Sequence, residues 1–192
     1  MKPEEVFEVF RETKALLSGH FELRSGLHSD QYFQCALALQ SPRVAERLCR
    51  ALTDKLRAGR GRHLRADGVI APAMGGLFVG YEIARALDVR SIFAEKDGGK
   101  LVLRRAFEIH PGQRFVIAED VMTRGGRIQE TMDLVTARGG EVEAIVVPVD
   151  RSGGRACFPY PVISLLQWEP ATWPPGQCPL CAQGSAAVHP GS

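Results

Sequence analysis

Apolar positions along this chain switch repeatedly between two periods. Over residues 4–17, Val6, Phe7, Val9, Phe10, Leu16 and Leu17 recur at helical spacing, and the segment reads as one helix. Residues 21–36 hold short strand-like runs on either side of a turn at Ser25-Gly26. Ser41-Pro42 then marks a helix start, serine as N-cap and proline in the first turn, and the helix runs to residue 56. A basic loop occupies residues 59–65. The apolar run over 68–73 is a buried strand, and 77–87 is a helix. Residues 91–94 and 100–103 are short strands around Asp97-Gly98-Gly99. Beyond them come a strand over 115–118, a helix over 127–137 closed by Gly139-Gly140, and strands over 142–149 and 162–168. Strands alternating with helices predict an α/β fold with a mostly parallel sheet covered on both faces. Ligands of such sheets collect beyond the carboxyl ends of strands. Ala73, Glu119-Asp120 and Asp150-Arg151 all fall at those ends.

The most informative stretch runs from Arg114 through Phe115-Val116-Ile117-Ala118 to Glu119-Asp120, then Val121-Met122-Thr123-Arg124-Gly125-Gly126-Arg127. It is an apolar strand, two adjacent carboxylates and a Thr/Gly-rich turn that opens into a helix. Glycines let backbone N–H groups approach an anion, and a helix N-terminus adds unpaired donors and a favourable dipole. The acidic pair suits two neighbouring hydroxyls, as on a ribose, or a hydrated Mg²⁺. A solvated strand end followed by an ordinary Gly-Gly turn shares part of this pattern. The joint order of strand, Glu-Asp, Val-Met-Thr, Gly-Gly and helix favours a ligand site. No Gly-Lys-Ser/Thr ends the stretch and no G-x-G-x-x-G is present, so neither a P-loop nor a dinucleotide fingerprint fits.

Composition narrows the class. A length of 192 residues suits one domain, and a net charge of +2 implies no nucleic-acid or membrane partner. Arg57, Arg60, Arg62, His63 and Arg65 form the one basic cluster and read as a solvated loop. Five cysteines, odd in number and scattered, argue for a reducing compartment. No run approaches the ~18–20 apolar residues of a membrane span. The acidic start Met1-Lys2-Pro3-Glu4-Glu5 is unlike a secretion leader, so the expectation is cytoplasmic.

From Glu169 the composition shifts to Pro, Gly, Ala and Ser, which predicts an extended C-terminal arm over 169–192 attached to a domain over 1–168. Its Trp173, like Trp168 just before it, is expected to be buried. Within the arm, Cys178-Pro179-Leu180-Cys181 is half of a zinc site. His189, Cys157 or the same pair of a second subunit would complete it; the alternative is a plain reduced pair. His20, His28, His63 and His110 show no metal spacing and read as surface or turn residues.

The central stretch resembles the phosphoribosyl diphosphate (PRPP) motif of type I phosphoribosyltransferases. Gly19-His20-Phe21-Glu22-Leu23-Arg24-Ser25-Gly26, with Ser29 and Tyr32-Phe33, is similar to the Phe-x-Leu-Lys/Arg-Ser-Gly segment of the orotate phosphoribosyltransferases. Val69-Ile70-Ala71-Pro72-Ala73-Met74-Gly75-Gly76 resembles their pyrophosphate loop, and Val146-Val147-Pro148-Val149-Asp150-Arg151 their strand ending in Asp-Arg. The resemblance implies the type I fold, with a small N-terminal hood over about 1–40. It implies transfer of 5-phosphoribosyl from PRPP to orotate, Mg²⁺ carried with PRPP rather than by a firm protein ligand, and a homodimer. By the same resemblance, Lys96 and residues Glu119, Asp120, Val121, Met122, Thr123, Arg124, Gly125, Gly126 and Arg127 bind PRPP. Ala73, Met74 and Gly75 line the pyrophosphate, and Thr123, Arg151 and Arg24 meet orotate. Glu119, Asp120 and Lys100 are the candidates for catalysis. Orotate differs from uracil by a carboxylate, and a guanidinium fork such as that of Arg151 matches it.

The chain departs from the family pattern in three places. Gly75 stands where many relatives have lysine. Arg124 and Arg127 replace small or hydroxylic residues. The loop after Lys96 is a short turn, where many members carry a longer mobile loop whose lysine serves the neighbouring subunit. Two other readings stay open: a phosphoribosyltransferase for another base, such as a purine, and a nucleotide-sensing regulator on the same fold.

Overall fold

The computed structural model describes residues 1–23 and 25–190. The chain opens with α1 (Pro3–Glu12), which buries Val6, Val9 and Phe10. The helix expected over 4–17 stops early because Lys14 takes φ +54°, which a right-handed helix does not accommodate. Leu16 and Leu17 instead open β1 (Leu16–Glu22), paired antiparallel with β2 (His28–Phe33) around the expected turn. A short helix that the pattern does not reveal, α2 (Cys35–Leu39), follows. Then α3 (Pro42–Arg60) begins where Ser41-Pro42 predicts, although the Ser41 side chain makes no capping bond. It continues into the stretch read as a basic loop, where the Arg60 guanidinium donates twice to buried Glu143, at 3.0 and 2.7 Å.

The remaining elements are β3 (Gly68–Pro72), α4 (Leu77–Leu87), β4 (Arg90–Asp97), β5 (Lys100–Leu103), β6 (Arg114–Ala118), β7 (Val121–Met122), α5 (Gly126–Thr136), β8 (Glu141–Asp150), β9 (Val162–Gln167), β10 (Thr172–Trp173) and α6 (Pro179–Ala182). β5, β4, β3, β6 and β8 lie in that order, with β9 on the far edge of β8 and β7 pairing its carboxyl end. Within this sheet all pairings are parallel except the β4–β5 hairpin. Two-residue β7 is too short to show in a hydrophobic pattern.

Alternation along the strands divides the core in two. Val69, Ala71, Val116, Ala118, Ala144 and Val146 face one cluster with α1, α3 and α4. Ile70, Phe115, Ile117, Ile145 and Val147 face the other, with Ile128, Met132 and Val135 of α5. Strands buried on both faces explain the near-continuous apolar runs in the sequence. Each of the valine, isoleucine, methionine and phenylalanine side chains among them contributes roughly 1.5–3 kcal/mol on burial.

The C-terminal arm is more structured than its composition suggests. β10 pairs with β2 and completes a three-stranded sheet β1-β2-β10. A 3-10 turn, Pro175–Gln177, and α6 follow. Trp168 packs edge-on against Phe7 and Phe33, ring centroids 6.3 and 4.8 Å apart; both it and Trp173 are half-buried rather than buried. Hydrogen bonds to strands already in place, which composition cannot register, account for the order.

Candidate active site

Three loops meet beyond the carboxyl ends of β3, β6 and β8. The loop after β3, Ala73 to Gly76, lies against the acidic pair that follows β6. A Cβ at Gly75 would stand 2.9 Å from Asp120 Oδ1, and one at Gly76 would stand 2.8 Å from the Ala118 carbonyl and 3.1 Å from Glu119 Oε1. The missing side chain at Gly75 is therefore space that the Asp120 carboxylate uses. The Ala73–Met74 peptide in this loop is cis. Ala73 is half-buried, and Met74 and Gly75 are exposed.

Glu119 is buried and Asp120 half-buried. The Asp120 amide donates to Glu119 Oε1 at 3.0 Å, and the Val121 amide to Asp120 Oδ1 at 2.8 Å. These bonds aim both carboxyl groups. Burial first, and the Asp120 charge second, push the Glu119 carboxyl up to about 9. Arg127 opposes the shift from the start of α5. Cys35 approaches from α2, its thiol 3.6 Å from the Asp120 carbonyl, and burial raises it well above an ordinary thiol. No sequence signal singles out Cys35.

The turn between β7 and α5 takes the predicted form. Gly125 has φ +77° at the N-cap of α5, and a Cβ there would fall 2.5 Å from the Phe158 ring. Only glycine meets both demands. The first intrahelical bond is from the Gln129 amide to the Gly125 carbonyl, 2.9 Å. The amides of Gly126, Arg127 and Ile128 thus lie in the first turn, where helices leave donors to other partners. Thr123 and Arg124 are exposed, Val121 and Met122 form β7, and Arg127 pairs with Glu130 at 3.0 Å.

Arg151 follows β8, its amide donating to the Met122 carbonyl at 2.7 Å. The guanidinium lies 6.0 Å from the Tyr32 ring centroid and 5.9 Å from that of Trp168. Its Nε is buried without a hydrogen-bond partner. Burial lowers its pKa, the sign of a cation held in a site poor in water. Tyr32 stood in the N-terminal motif; Trp168 as a flanking ring is visible only in the fold.

Lys96 and Lys100 are exposed on the β4–β5 hairpin. Gly98 and Gly99 have φ +54° and +86°, the two-residue turn that Asp97-Gly98-Gly99 predicts. Arg104 pairs with Asp97 at 2.8 Å and Arg105 with Glu95 at 3.0 Å, tying the hairpin down. Arg24 lies outside the described residues. A recess of 370 Å³ lies elsewhere: charged residues of α3 and α4, including Glu46, Arg50, Glu82 and Arg85, line it. Convergence of the three loops locates the candidate site better than that recess does.

A model of the phosphoribosyl transferase domain matches residues 39–176. The orotate phosphoribosyltransferase of Heliobacterium modesticaldum is 48% identical over 192 residues, 100% of this chain and 99% of the relative. That of Carboxydothermus hydrogenoformans is 49% identical, across 98% of this chain and 97% of the relative. The solved structure of orotate phosphoribosyltransferase from Aeropyrum pernix matches with a TM-score of 0.68 at 24% identity, over 83% of this chain and 92% of that one, a likeness of fold.

Proposed function

The chain belongs to the phosphoribosyl transferase family, among its orotate phosphoribosyltransferases, and from that premise we propose how its own residues divide the work. The reaction joins the 5-phosphoribosyl group of PRPP to orotate, giving orotidine 5′-monophosphate and pyrophosphate. Positive charge develops on the ribose ring as the pyrophosphate leaves, as in glycoside cleavage.

Backbone donors from Thr123 to Arg127 hold the 5′-phosphate, aided by the N-terminus of α5. Glu119 and Asp120 accept hydrogen bonds from the ribose hydroxyls and, once ionised, favour the developing positive charge. Ala73, Met74 and Gly75 receive the pyrophosphate, with Lys96 supplying a cation and Lys100 a second candidate. Hard carboxylate oxygens beside an open loop fit a hydrated Mg²⁺ that arrives with PRPP. When bound, that ion supplies charge neutralisation on the diphosphate. Arg151 takes the orotate carboxylate, with Thr123 beside it; Arg24 belongs to the same proposed set. Five free cysteines fit a reducing cytoplasm. No described helix is long and apolar enough to cross a membrane.

The observation that carries this division is Arg151: a guanidinium framed by two aromatic rings, one nitrogen buried without a partner. A carboxylate can meet that nitrogen in a charge-assisted, two-point guanidinium pair, which a neutral base cannot match in charge. The test is PRPP- and Mg²⁺-dependent loss of orotate absorbance, with uracil, adenine and hypoxanthine as controls. Orotate alone is expected to turn over. Turnover of a purine without orotate would overturn the reading.

A further inference from the structure

We propose that His20, His28, Cys178 and Cys181 form a structural zinc site that staples the C-terminal arm to the sheet of β1 and β2. Their four ligand atoms all lie within 4.8 Å of one another. His20 Nε2 stands 3.4 Å from Cys178 Sγ and 3.7 Å from Cys181 Sγ. His28 Nδ1 stands 3.3 Å from Cys181 Sγ and 2.8 Å from His20 Nε2. Zinc bonds of about 2.3 Å to sulfur and 2.0–2.1 Å to nitrogen imply tetrahedron edges of roughly 3.3–3.8 Å. These three sulfur–nitrogen distances already match; the two imidazoles need to part by roughly half an ångström, and every remaining pair lies within 4.8 Å.

Protonation supports the same centre. His20 Nδ1 lies 3.0 Å from the Ser185 carbonyl, which can only accept, so Nδ1 carries the proton. In the neutral ring Nε2 then presents a lone pair toward three further ligand atoms. Such an outer bond to a carbonyl is what orients metal-binding histidines. Two thiolates and two imidazoles select zinc over magnesium or calcium. His20 and His28, read as surface or turn residues from spacing alone, are both buried. The sequence hides the set because the histidines sit on neighbouring strands and Cys178-Pro179-Leu180-Cys181 lies 150 or more residues later. His20 also falls at the bulge between Ser18 and Phe21, a device that re-aims side chains. His189 pairs instead with Glu22 at 3.2 Å, and exposed Cys157 contacts the Gly154 carbonyl.

From residue 171 to 190, Cys178 is the one buried side chain. Backbone pairing flanks the cysteines on both sides: Thr172 opposite Ser29 before them, and the Val188 amide to the His20 carbonyl, 2.9 Å, after them. Segments too small to build an apolar core commonly rely on a metal or a disulfide.

The test uses the full chain purified without chelator. About one zinc per chain is expected, and Co²⁺ exchange should give the visible d–d bands and thiolate charge-transfer of a tetrahedral sulfur–nitrogen site. Cys178→Ser with Cys181→Ser should cut metal content roughly tenfold or more, and Cys157→Ser should not change it. Chelation should open residues 174–187 to protease. Folded wild-type protein that carries no zinc and gives no cobalt spectrum overturns the site, however the variants behave. So does metal retained by a folded Cys178→Ser, Cys181→Ser double variant, or a disulfide between the two cysteines in freshly purified protein.

Discussion

A carboxyl group and a guanidinium, each held away from water, set the chemistry of the site at the scale of single residues. Burial and the Asp120 charge raise Glu119 to about 9, so near neutral pH the folded protein holds a proton there that the unfolded chain has released. The sign follows: the contribution to stability is fully present below the ordinary carboxyl range and is lost as pH rises toward about 9. Thermal unfolding without ligand should therefore show wild type losing stability relative to Glu119→Gln between pH 5 and pH 9; parallel curves would remove the buried proton from the account. Mg²⁺-PRPP, which favours the ionised pair, should release protons on binding at pH 7. Calorimetry in two buffers of different ionisation enthalpy reads this directly, and Glu119→Gln should abolish it. For Arg151, Arg151→Ala should weaken orotate use by about 1.5–3 kcal/mol, the worth of a charged hydrogen bond, with PRPP affinity unchanged. A fall in PRPP affinity with orotate binding intact would reassign the residue to the other substrate.

Among the elements, the β7–α5 turn allows a clean comparison of two adjacent glycines. Gly125 combines φ +77° with no room for a Cβ, while Gly126 has nothing within 4 Å of that position. Gly125→Ala should destabilise by about 1–3 kcal/mol or more in denaturant unfolding, and Gly126→Ala should be nearly neutral. Equal effects would mean that crowding by Phe158 is relieved by a shift of the ring. This turn was legible in the sequence because it is contiguous: β6, Glu119-Asp120, Gly125-Gly126 and α5 follow one another without a gap. The alternating strands were legible for a similar reason, since β3, β6 and β8 are buried on both faces and carry unbroken apolar runs. Where local pattern and backbone conflict, legibility ends. Leu16 and Leu17 keep helical spacing after Lys14 has already left the helix. The arm gains its strand from β2, and Trp168 reaches Arg151 through the fold. The four proposed zinc ligands depend on the same long-range packing.

The molecule as a whole presents an apolar patch beside the site that its own core does not cover. Met74 is 80% exposed, Phe78 60% and Tyr81 63%, the last two one turn apart on α4. Adjacent large apolar side chains of this kind commonly mark a subunit contact. The orotate phosphoribosyltransferase resemblance points to a homodimer in which a loop of one subunit serves the other's site. Here the corresponding loop is a tight hairpin pinned by Arg104 and Arg105, so any service across the interface must come from a rigid tip carrying Lys100 rather than from a closing lid. Light scattering should give a dimer for wild type, and Phe78→Asp with Tyr81→Asp should shift it toward monomer while leaving the far-ultraviolet spectrum intact. Mixing Lys100→Ala with Asp120→Asn separates the two arrangements. If Lys100 works in its partner's site, the mixed dimer holds one complete set and activity returns; if it works in its own, both sites stay broken. A wild-type monomer at assay concentration would remove the shared site altogether, and the exposed patch would then need a different partner.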